Sequence, residues 1–172
     1  MIRVGIIGAE TKNAGELLRL LMFHPEVEIS SLYSPTLTGH KLSACHHGFI
    51  GEPDYYFSDK IDLSRLNAVF LTDDSSLTHL VLERASEWNE LRIIDLSPSR
   101  FGKNMMEENL AYGLSEINRK TLVRGATMAK VPSVVGAVSL IALYPLASHL
   151  LLSSDIEIES WLPLDIIREV DP

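Results

Sequence analysis

Residues 2–21 constrain the fold more than any other part of the chain. They begin with IRVGII, an apolar run that is typical of a strand buried on both faces of a parallel sheet. Gly8 follows the run, and from Ala14 onward leucines recur at helical spacing with Glu16 and Arg19 opposite them. A strand, a glycine turn and a helix in this order predict the first βαβ unit of a nucleotide-binding fold. Because a complete G-x-G-x-x-G is absent, an ordinary βα turn of another α/β protein is the alternative.

Composition and charge exclude several classes of protein. The chain has 172 residues, of which 46% are hydrophobic, and a net charge of −8 without a cluster of Lys and Arg, which argues against a nucleic-acid partner. The longest apolar segment, residues 131–152, is interrupted by Ser, Gly, Pro and His and predicts a buried helix, not a membrane span. The single cysteine, Cys45, excludes an internal disulfide and fits a reducing compartment. With no visible signal peptide, we predict a cytoplasmic protein.

Strand and helix patterns alternate along the rest of the chain. Strands are predicted at residues 27–33, 67–72, 91–96 and 127–131, with a weak strand at 55–58 and a half-buried last strand from Asp155 to Leu162. Helices are predicted at residues 77–88, 115–122 and 133–151, the first capped by Ser75 or Ser76 and the second by Ser115. Residues 34–54 are predicted as a loop with a short amphipathic piece near 41–46, and residues 97–114 as irregular. The alternation predicts an α/β fold with a Rossmann-like, doubly wound parallel sheet over residues 1–152, followed by a C-terminal strand and extension over 153–172.

Several segments, taken together, resemble one enzyme family. They are GIIGA, GELLRLLMFHPEVEI, SPTLTGHKLSACHHGFIGE, VFLT, RIIDLS, YGLSEINR and ALYPLA. Their order and spacing resemble N-acetyl-γ-glutamyl-phosphate reductase, an arginine-biosynthesis enzyme of the semialdehyde dehydrogenase superfamily, over the N-terminal half of that enzyme. The resemblance implies a Rossmann domain that binds NADP and a cysteine thiolate that attacks an acyl phosphate, followed by hydride reduction of the thioester to an aldehyde. It also implies that the last strand is the remnant of a second domain, which in the family supplies the oligomer contacts and the histidine and arginine that act on the acyl group.

The resemblance places the family's phosphate turn on seven consecutive residues. They are Gly8, Ala9, Glu10, Thr11, Lys12, Asn13 and Ala14. The family has glycine at the positions of Gly8, Thr11 and Ala14, so two of the glycines that let a backbone approach a pyrophosphate are replaced. Glu10 adds a negative charge, for which Lys12 and Asn13 compensate in part. A working phosphate site and a turn that has lost its ligand therefore both stay open, and we expect weak or absent NADP binding.

Four further residues are expected at the cofactor crevice. Ser34, Thr36 and Lys41 follow the second strand, where the adenosine ribose and any 2′-phosphate would lie, and Ser97 belongs to the DLS turn that shapes the crevice. The basic residue of the family is replaced by Pro35, which weakens an NADP preference.

A pair of acidic residues replaces the family's A-L-P-H segment. Asp73 and Asp74 would repel the phosphates of a dinucleotide, unless they belong to a helix-capping turn, which is the alternative that we favour.

The residues expected to carry catalysis are absent. The N-P-G-C segment of the family reads V-P-S-V here, so that Val134 occupies the position of the nucleophilic cysteine, and we predict no catalytic residue. Ser133 is expected to cap a helix. Cys45, His46 and His47 are adjacent and cannot converge on one tetrahedral metal ion, so we predict no metal site.

Three functional hypotheses follow. The chain is a truncated, catalytically inactive homologue of the reductase kept for binding or regulation, the nucleotide-binding subunit of a reductase completed by another chain, or a gene product whose fold persists without a selected role. A dinucleotide is the expected small-molecule ligand. We also expect a homodimer or a protein partner that pairs with the last strand, because its edge would otherwise be unpaired.

Overall fold

The computed structural model describes residues 1–51, 54–88, 90–98, 110–151 and 155–162. Its strands are β1 (Ile2–Ile7), β2 (Val27–Tyr33), β3 (Phe57–Ser58), β4 (Ala68–Leu71), β5 (Arg92–Asp95), β6 (Leu110–Tyr112) and β7 (Met128–Lys130). Its α-helices are α1 (Lys12–Leu21), α2 (Ser76–Glu83), α3 (Ser115–Val123) and α4 (Val134–Ser148). Single 3₁₀ turns lie at Pro35–Leu37, Leu42–Ala44, His47–Phe49, Leu63–Arg65 and Ala85–Glu87.

The strands form one parallel sheet of the predicted kind. Its order is β3-β2-β1-β4-β5-β7-β6, and all six neighbouring pairs are parallel. On one side of β1 lie β2 and β3, and on its other side lie β4, β5, β7 and β6. This reversal places the topological switch point of the sheet between β1 and β4.

Two hydrophobic clusters cover the two faces of this sheet. Val4 and Ile6 of β1 belong to one cluster with Leu18 of α1, whereas Ile7 belongs to the other with Val81 of α2. Because successive side chains of a strand point to opposite faces, α1 and α2 lie on opposite sides of the sheet. The predicted doubly wound α/β architecture is therefore confirmed.

Two predictions in the second half of the chain were wrong in detail. β6 lies within residues 97–114, which we expected to be irregular, and residues 99–109 of that segment are outside the described part. Three residues are too few to show a period-2 pattern, so periodicity could not reveal this strand. Ser115 does not cap α3 but is its first residue; Leu114 occupies the N-cap position and makes no side-chain cap.

Helix α4 is not buried, contrary to the expectation from its composition. None of its 15 residues is buried. Val134, Val138 and Ile141 keep 58%, 63% and 50% of their surface exposed. An all-round apolar helix normally lies inside a structure, so this exposure indicates a surface that the described residues of the chain do not cover. Among the described residues, no helix has the length and apolarity needed to cross a membrane.

The predicted last strand is not formed within the described chain. The residues from Asp155 to Leu162 belong to neither a helix nor a strand, and Ile156, Ile158 and Trp161 are exposed. Alternation of polar and apolar residues indicates which side chains a strand would bury, but it cannot supply the neighbouring strand. Residues 152–154 and 163–172, which include most of the predicted extension, lie outside the described residues.

Candidate functional site

The candidate site lies at the carboxyl ends of β1, β2 and β4, beside the switch point of the sheet. Gly8 directly follows β1 and has a φ of +76°, a conformation that favours glycine. Its N–H and that of Ala9 both donate to the carbonyl oxygen of Tyr33, at 3.1 Å each. The N–H of Thr11 donates in turn to the carbonyl of Gly8 at 3.0 Å. The start of the turn is therefore held by its own backbone and by the end of β2.

Thr11 is the N-cap of α1. Its Oγ1 accepts from the N–H of Ala14 at 3.1 Å, and its carbonyl accepts from Gly15 at 3.1 Å. A hydroxyl that binds an N–H of the first turn occupies a donor that a phosphate oxygen would otherwise use. Ala14 is fully buried in the cluster under α1, which explains why a small apolar residue is found there.

Asp73 lies directly against the turn. A Cβ built on Gly8 would lie 2.5 Å from the Cβ of Asp73 and 2.9 Å from its backbone nitrogen. The Oδ1 atom of Asp73 accepts from Thr78 Oγ1 at 2.6 Å and from Ser75 Oγ at 2.9 Å, and Ser75 caps α2. This network agrees with the helix-capping alternative, and it holds a carboxylate beside Gly8.

Asp74 is turned to a different partner. Its Oδ1 lies 3.0 Å from Nε2 of His79 on α2, in an exposed pair. On the other side of Asp73, the Oγ1 atom of Thr72 donates to the carbonyls of Ile7 and Gly8, at 2.8 Å each. β4 therefore fixes the end of β1 through a buried hydroxyl.

A second group of polar side chains links the turn to the end of β2. Ser34 is fully buried, and its Oγ lies 3.1 Å from Oγ1 of Thr36. The Thr36 hydroxyl lies 3.3 Å from Oε1 of Glu10, to which it donates. The other carboxylate oxygen, Oε2, is shielded from solvent and has no hydrogen-bond partner in the described part of the chain. The acidic side chain of the phosphate turn therefore lies at the predicted ribose position.

Cys45 and His46 hold the same turn from outside the sheet. Nε2 of His46 lies 2.8 Å from the carbonyl oxygen of Ala9, so the ring donates from this nitrogen. A Cβ on Gly15 would lie 2.7 Å from Nδ1 of the same ring, so a larger residue at position 15 would displace the histidine. The Cys45 thiol lies 3.4 Å from the carbonyl of Glu10, and burial, followed by the charge of Glu10, raises the pKa of this thiol. These two side chains position the turn; within the described ranges, no three His, Cys, Asp or Glu residues converge as metal ligands.

The structure places Lys41 and Ser97 in other contacts. Nζ of Lys41 lies 2.8 Å from Oδ2 of Asp54 in an exposed pair, and the hydrogen bond and charge of Asp54 raise the pKa of the lysine. Ser97 is buried and donates its N–H to Oδ1 of Asp95 at 2.8 Å. Of the predicted cofactor residues, the turn from Gly8 to Ala14 therefore meets Ser34 and Thr36, whereas the contacts described for Lys41 and Ser97 are with residues outside that turn.

A buried cation, which was not predicted from the sequence, lies beside Ser97. Lys130 ends β7 and pairs in register with Asp95 of β5, with 2.8 Å between Nζ and Oδ2. The same Nζ donates to the carbonyl of Ser97 at 2.8 Å and lies 3.2 Å from its hydroxyl. The sequence shows only that the segments RIID and MAK each end in a charged residue, of opposite sign. The adjacency of the two strands, which pairs these charges, is known only from the structure.

The N-terminus of α4 carries Val134 and the capping residue Ser133. Val134 has an exposed side chain, and Ser133 caps the helix by accepting from the N–H of Gly136 at 3.2 Å. The cap agrees with the role expected for Ser133. Valine has no group that can form a thioester.

The parallel sheet, the switch point and the glycine turn at the start of a helix define a Rossmann-type nucleotide-binding domain. The semialdehyde dehydrogenase NAD-binding domain matches residues 3–124, and the chain belongs to that family.

Similar proteins support the resemblance found in the sequence. The chain is 34% identical over 160 residues to the N-acetyl-γ-glutamyl-phosphate reductase of Phocaeicola vulgatus, covering 93% of this chain and 49% of that protein. It is 38% identical over 160 residues to the reductase of the same name from Azobacteroides pseudotrichonymphae, covering 93% and 50%. The predicted kinship is confirmed, and the chain spans about half the length of these curated relatives.

Solved structures share the fold. Aspartate semialdehyde dehydrogenase with NADP from Candida albicans superposes with a TM-score of 0.61 at 16% identity, covering 87% of this chain and 47% of the other. The corresponding enzyme from Francisella tularensis gives a TM-score of 0.61 at 12% identity, covering 87% and 41%. At these identities, the likeness concerns the fold alone.

Proposed function

We propose that this chain is a homologue of N-acetyl-γ-glutamyl-phosphate reductase without catalytic activity of its own, which retains the nucleotide-binding scaffold. The proposal rests on Val134 at the N-terminus of α4, which we assign to the position of the thiol that would attack an acyl phosphate. The neighbouring hydroxyl of Ser133 is engaged with the N–H of Gly136 as a helix cap. Without a nucleophile, no thioester forms and a bound hydride donor has no acyl group to reduce.

We further propose that NADP binds weakly or not at all. Three contacts support this. The first N–H groups of the turn donate to Tyr33, the carboxylate of Asp73 lies against Gly8, and Glu10 lies beside Thr36. These contacts disfavour NADP, because the N–H groups of Gly8 and Ala9 are already bonded and two carboxylates lie beside the turn. Losing two charge-assisted hydrogen bonds of about 1.5 kcal/mol each would weaken a site about a hundredfold.

Assay of the purified protein with N-acetylglutamyl phosphate and NADPH tests the catalytic part of the proposal. We expect no turnover above the rate of a protein-free blank. Turnover that is abolished in Thr11→Trp, a variant that fills the phosphate turn, would contradict the proposal. Calorimetric titration with NADP⁺ and NAD⁺ tests the binding part, and a dissociation constant in the micromolar range for NADP⁺ would contradict it.

A second candidate function is that of a nucleotide-binding subunit, or of a regulatory protein, that acts together with another polypeptide. The exposed apolar surface of α4 favours it, together with the exposed side chains of Ile156, Ile158 and Trp161. We propose that the segment from Asp155 to Leu162 pairs as a strand with a second copy of the chain or with a protein partner, because its apolar side chains are otherwise left in water.

Light scattering of the purified chain tests the assembly. We expect a dimer for the wild type and a monomer for Ile158→Glu. In a Trp88→Phe background, we also expect the fluorescence emission of Trp161 to be blue-shifted. Ile50→Glu is the matched control, because Ile50 is 75% exposed on a different segment. A monomer at high concentration, with solvent-like Trp161 emission, would exclude self-association. A protein that co-purifies with the wild type but not with Ile158→Glu would support the role of a subunit.

A further inference from the structure

The carboxylate of Glu10 is the least satisfied polar group at the candidate site. Oε1 accepts one hydrogen bond, from the neutral hydroxyl of Thr36 at 3.3 Å. Oε2 is shielded from solvent and lacks a hydrogen-bond partner among the described residues. A buried carboxylate oxygen without a donor costs free energy, so a ligand that brings a donor to this side chain gains more than an ordinary hydrogen bond.

The position of Glu10 defines which donor would reach it. In Rossmann-type folds, an acidic residue after the second strand binds the ribose 2′-hydroxyl of NAD, whereas a basic residue there accommodates the 2′-phosphate of NADP. Here the residue that directly follows β2 is Ser34, and Pro35 follows it. The carboxylate is supplied instead from the turn after β1, through the chain of contacts from Ser34 to Thr36 to Glu10.

We propose that Glu10 is a specificity-determining residue that selects an adenine dinucleotide with a free 2′-hydroxyl on the adenosine ribose, and rejects one with a 2′-phosphate. Oε2 is shielded in the structure, so the carboxylate would have to rotate to present its unpaired oxygen to a ribose hydroxyl, which would then donate to it. A 2′-phosphate carries nearly two negative charges, which the carboxylate repels, and it offers no hydroxyl proton to the carboxylate. The inference rests on the proposed dinucleotide crevice, but it concerns the ratio of two affinities and not their absolute value.

The test uses NAD⁺ and NADP⁺ as probes, because they differ only in the 2′-phosphate. Calorimetry or protein-observed NMR on the purified chain gives both dissociation constants for wild type, Glu10→Gln and Glu16→Gln. The control removes the same charge by the same substitution, from an exposed glutamate that pairs with Arg19 on α1. We expect wild type to bind NAD⁺ at least about tenfold more tightly than NADP⁺, since one charge-assisted hydrogen bond is gained and one repulsion avoided.

Glu10→Gln should reduce the preference about tenfold, mostly through tighter NADP⁺ binding, and Glu16→Gln should leave it unchanged. Thr36→Val, which keeps the shape but removes the hydroxyl that holds Glu10, should reduce the preference in the same direction. The inference is overturned if NADP⁺ binds as tightly as NAD⁺ to wild type, if Glu10→Gln leaves the ratio unchanged, or if neither probe binds any variant at millimolar concentration. Tight NAD⁺ binding with much weaker NADP⁺ binding would support the inference. A micromolar dissociation constant for NADP⁺ would refute the proposed weak NADP binding, whatever the ratio of the NAD⁺ and NADP⁺ affinities.

Discussion

Replacing Lys130 by methionine should destabilise the fold strongly. The side chains of Lys130 and Asp95 are 8% and 3% exposed, with 2.8 Å between Nζ and Oδ2, so neither charge is solvated by water. Lys130→Met keeps the length and much of the volume of the side chain but leaves Asp95 as an unpaired buried carboxylate. It also removes the donor that binds the carbonyl of Ser97. Breaking a buried pair on one side typically costs about 3–5 kcal/mol, and we expect a loss of unfolding free energy in this range.

Urea denaturation of the purified chain, followed by circular dichroism, measures this loss as a shift of the midpoint at unchanged slope. The matched control is Lys41→Met, which breaks the pair with Asp54, whose side chains are 51% and 56% exposed. Exposed pairs contribute little, so the control should shift the midpoint only slightly.

The double variant Asp95→Asn with Lys130→Met distinguishes an uncompensated charge from a simple packing loss. The amide oxygen of the introduced asparagine would still accept from the N–H of Ser97, which now donates to Oδ1 of Asp95 at 2.8 Å. The double variant would also leave no net charge at this position in the sheet. We therefore expect it to be more stable than Lys130→Met alone. A cost below about 1 kcal/mol for Lys130→Met, or a double variant less stable than the single one, would refute the reasoning.

Two further predictions concern the turn. Gly8→Ala should destabilise the chain by more than about 1 kcal/mol, because φ is +76° and Asp73 would lie 2.5 Å from the new Cβ; Gly39→Ala, with φ of +79° and no atom within 4 Å, should cost less in the same thermal-unfolding assay. An equal loss of stability in the two variants would show that the positive φ alone, and not the contact with Asp73, accounts for the effect at Gly8. Alkylation of Cys45 by iodoacetamide should be slow at neutral pH and should rise at a higher pH than for an unstructured cysteine, because burial and Glu10 raise the pKa of this thiol. Glu10→Gln should move the rate profile to lower pH; an unmoved profile would leave burial as the only cause.

The first half of the fold could be predicted from the sequence because its elements carry local signals. The second half of β1 is buried and appears as an apolar run, and Ser75 caps α2 as one of the two serines expected there. The turn was placed correctly between β1 and α1. These predictions succeed because periodicity and capping depend on residues close together in the chain.

The site could be predicted only in part, because its contacts join residues far apart in the sequence. Thr11 was interpreted as an obstacle to a ligand, whereas the structure gives it a role of its own as the cap of α1. The contact between His46 and the carbonyl of Ala9, and the pair between Lys130 and Asp95, depend on tertiary placement and strand register. A charged residue at the end of an apolar strand indicates a buried pair only when the neighbouring strand is known.

Helix α4 shows the same limit on a larger scale. Its apolar sequence correctly indicates that a helix forms, and composition favours a buried position. Burial, however, is a property of the surface that covers a helix, and the described residues of this chain do not cover it. The apolar sequence therefore predicts that a surface covers α4 but does not identify that surface, and only the structure shows that the described residues leave the helix exposed.

The turn after β1 satisfies part of its own hydrogen-bonding capacity. A glycine-rich turn leaves N–H groups at a helix N-terminus that need a partner, and a phosphate satisfies them. In this chain, Tyr33 accepts from Gly8 and Ala9, and the hydroxyl of Thr11 accepts from Ala14. The hydroxyl of Thr11 therefore satisfies one donor that a phosphate could otherwise bind. Under the proposal of weak NADP binding, a dinucleotide would have to compete with these internal hydrogen bonds for the N–H groups of Gly8, Ala9 and Ala14, in addition to the repulsion by Asp73 and Glu10.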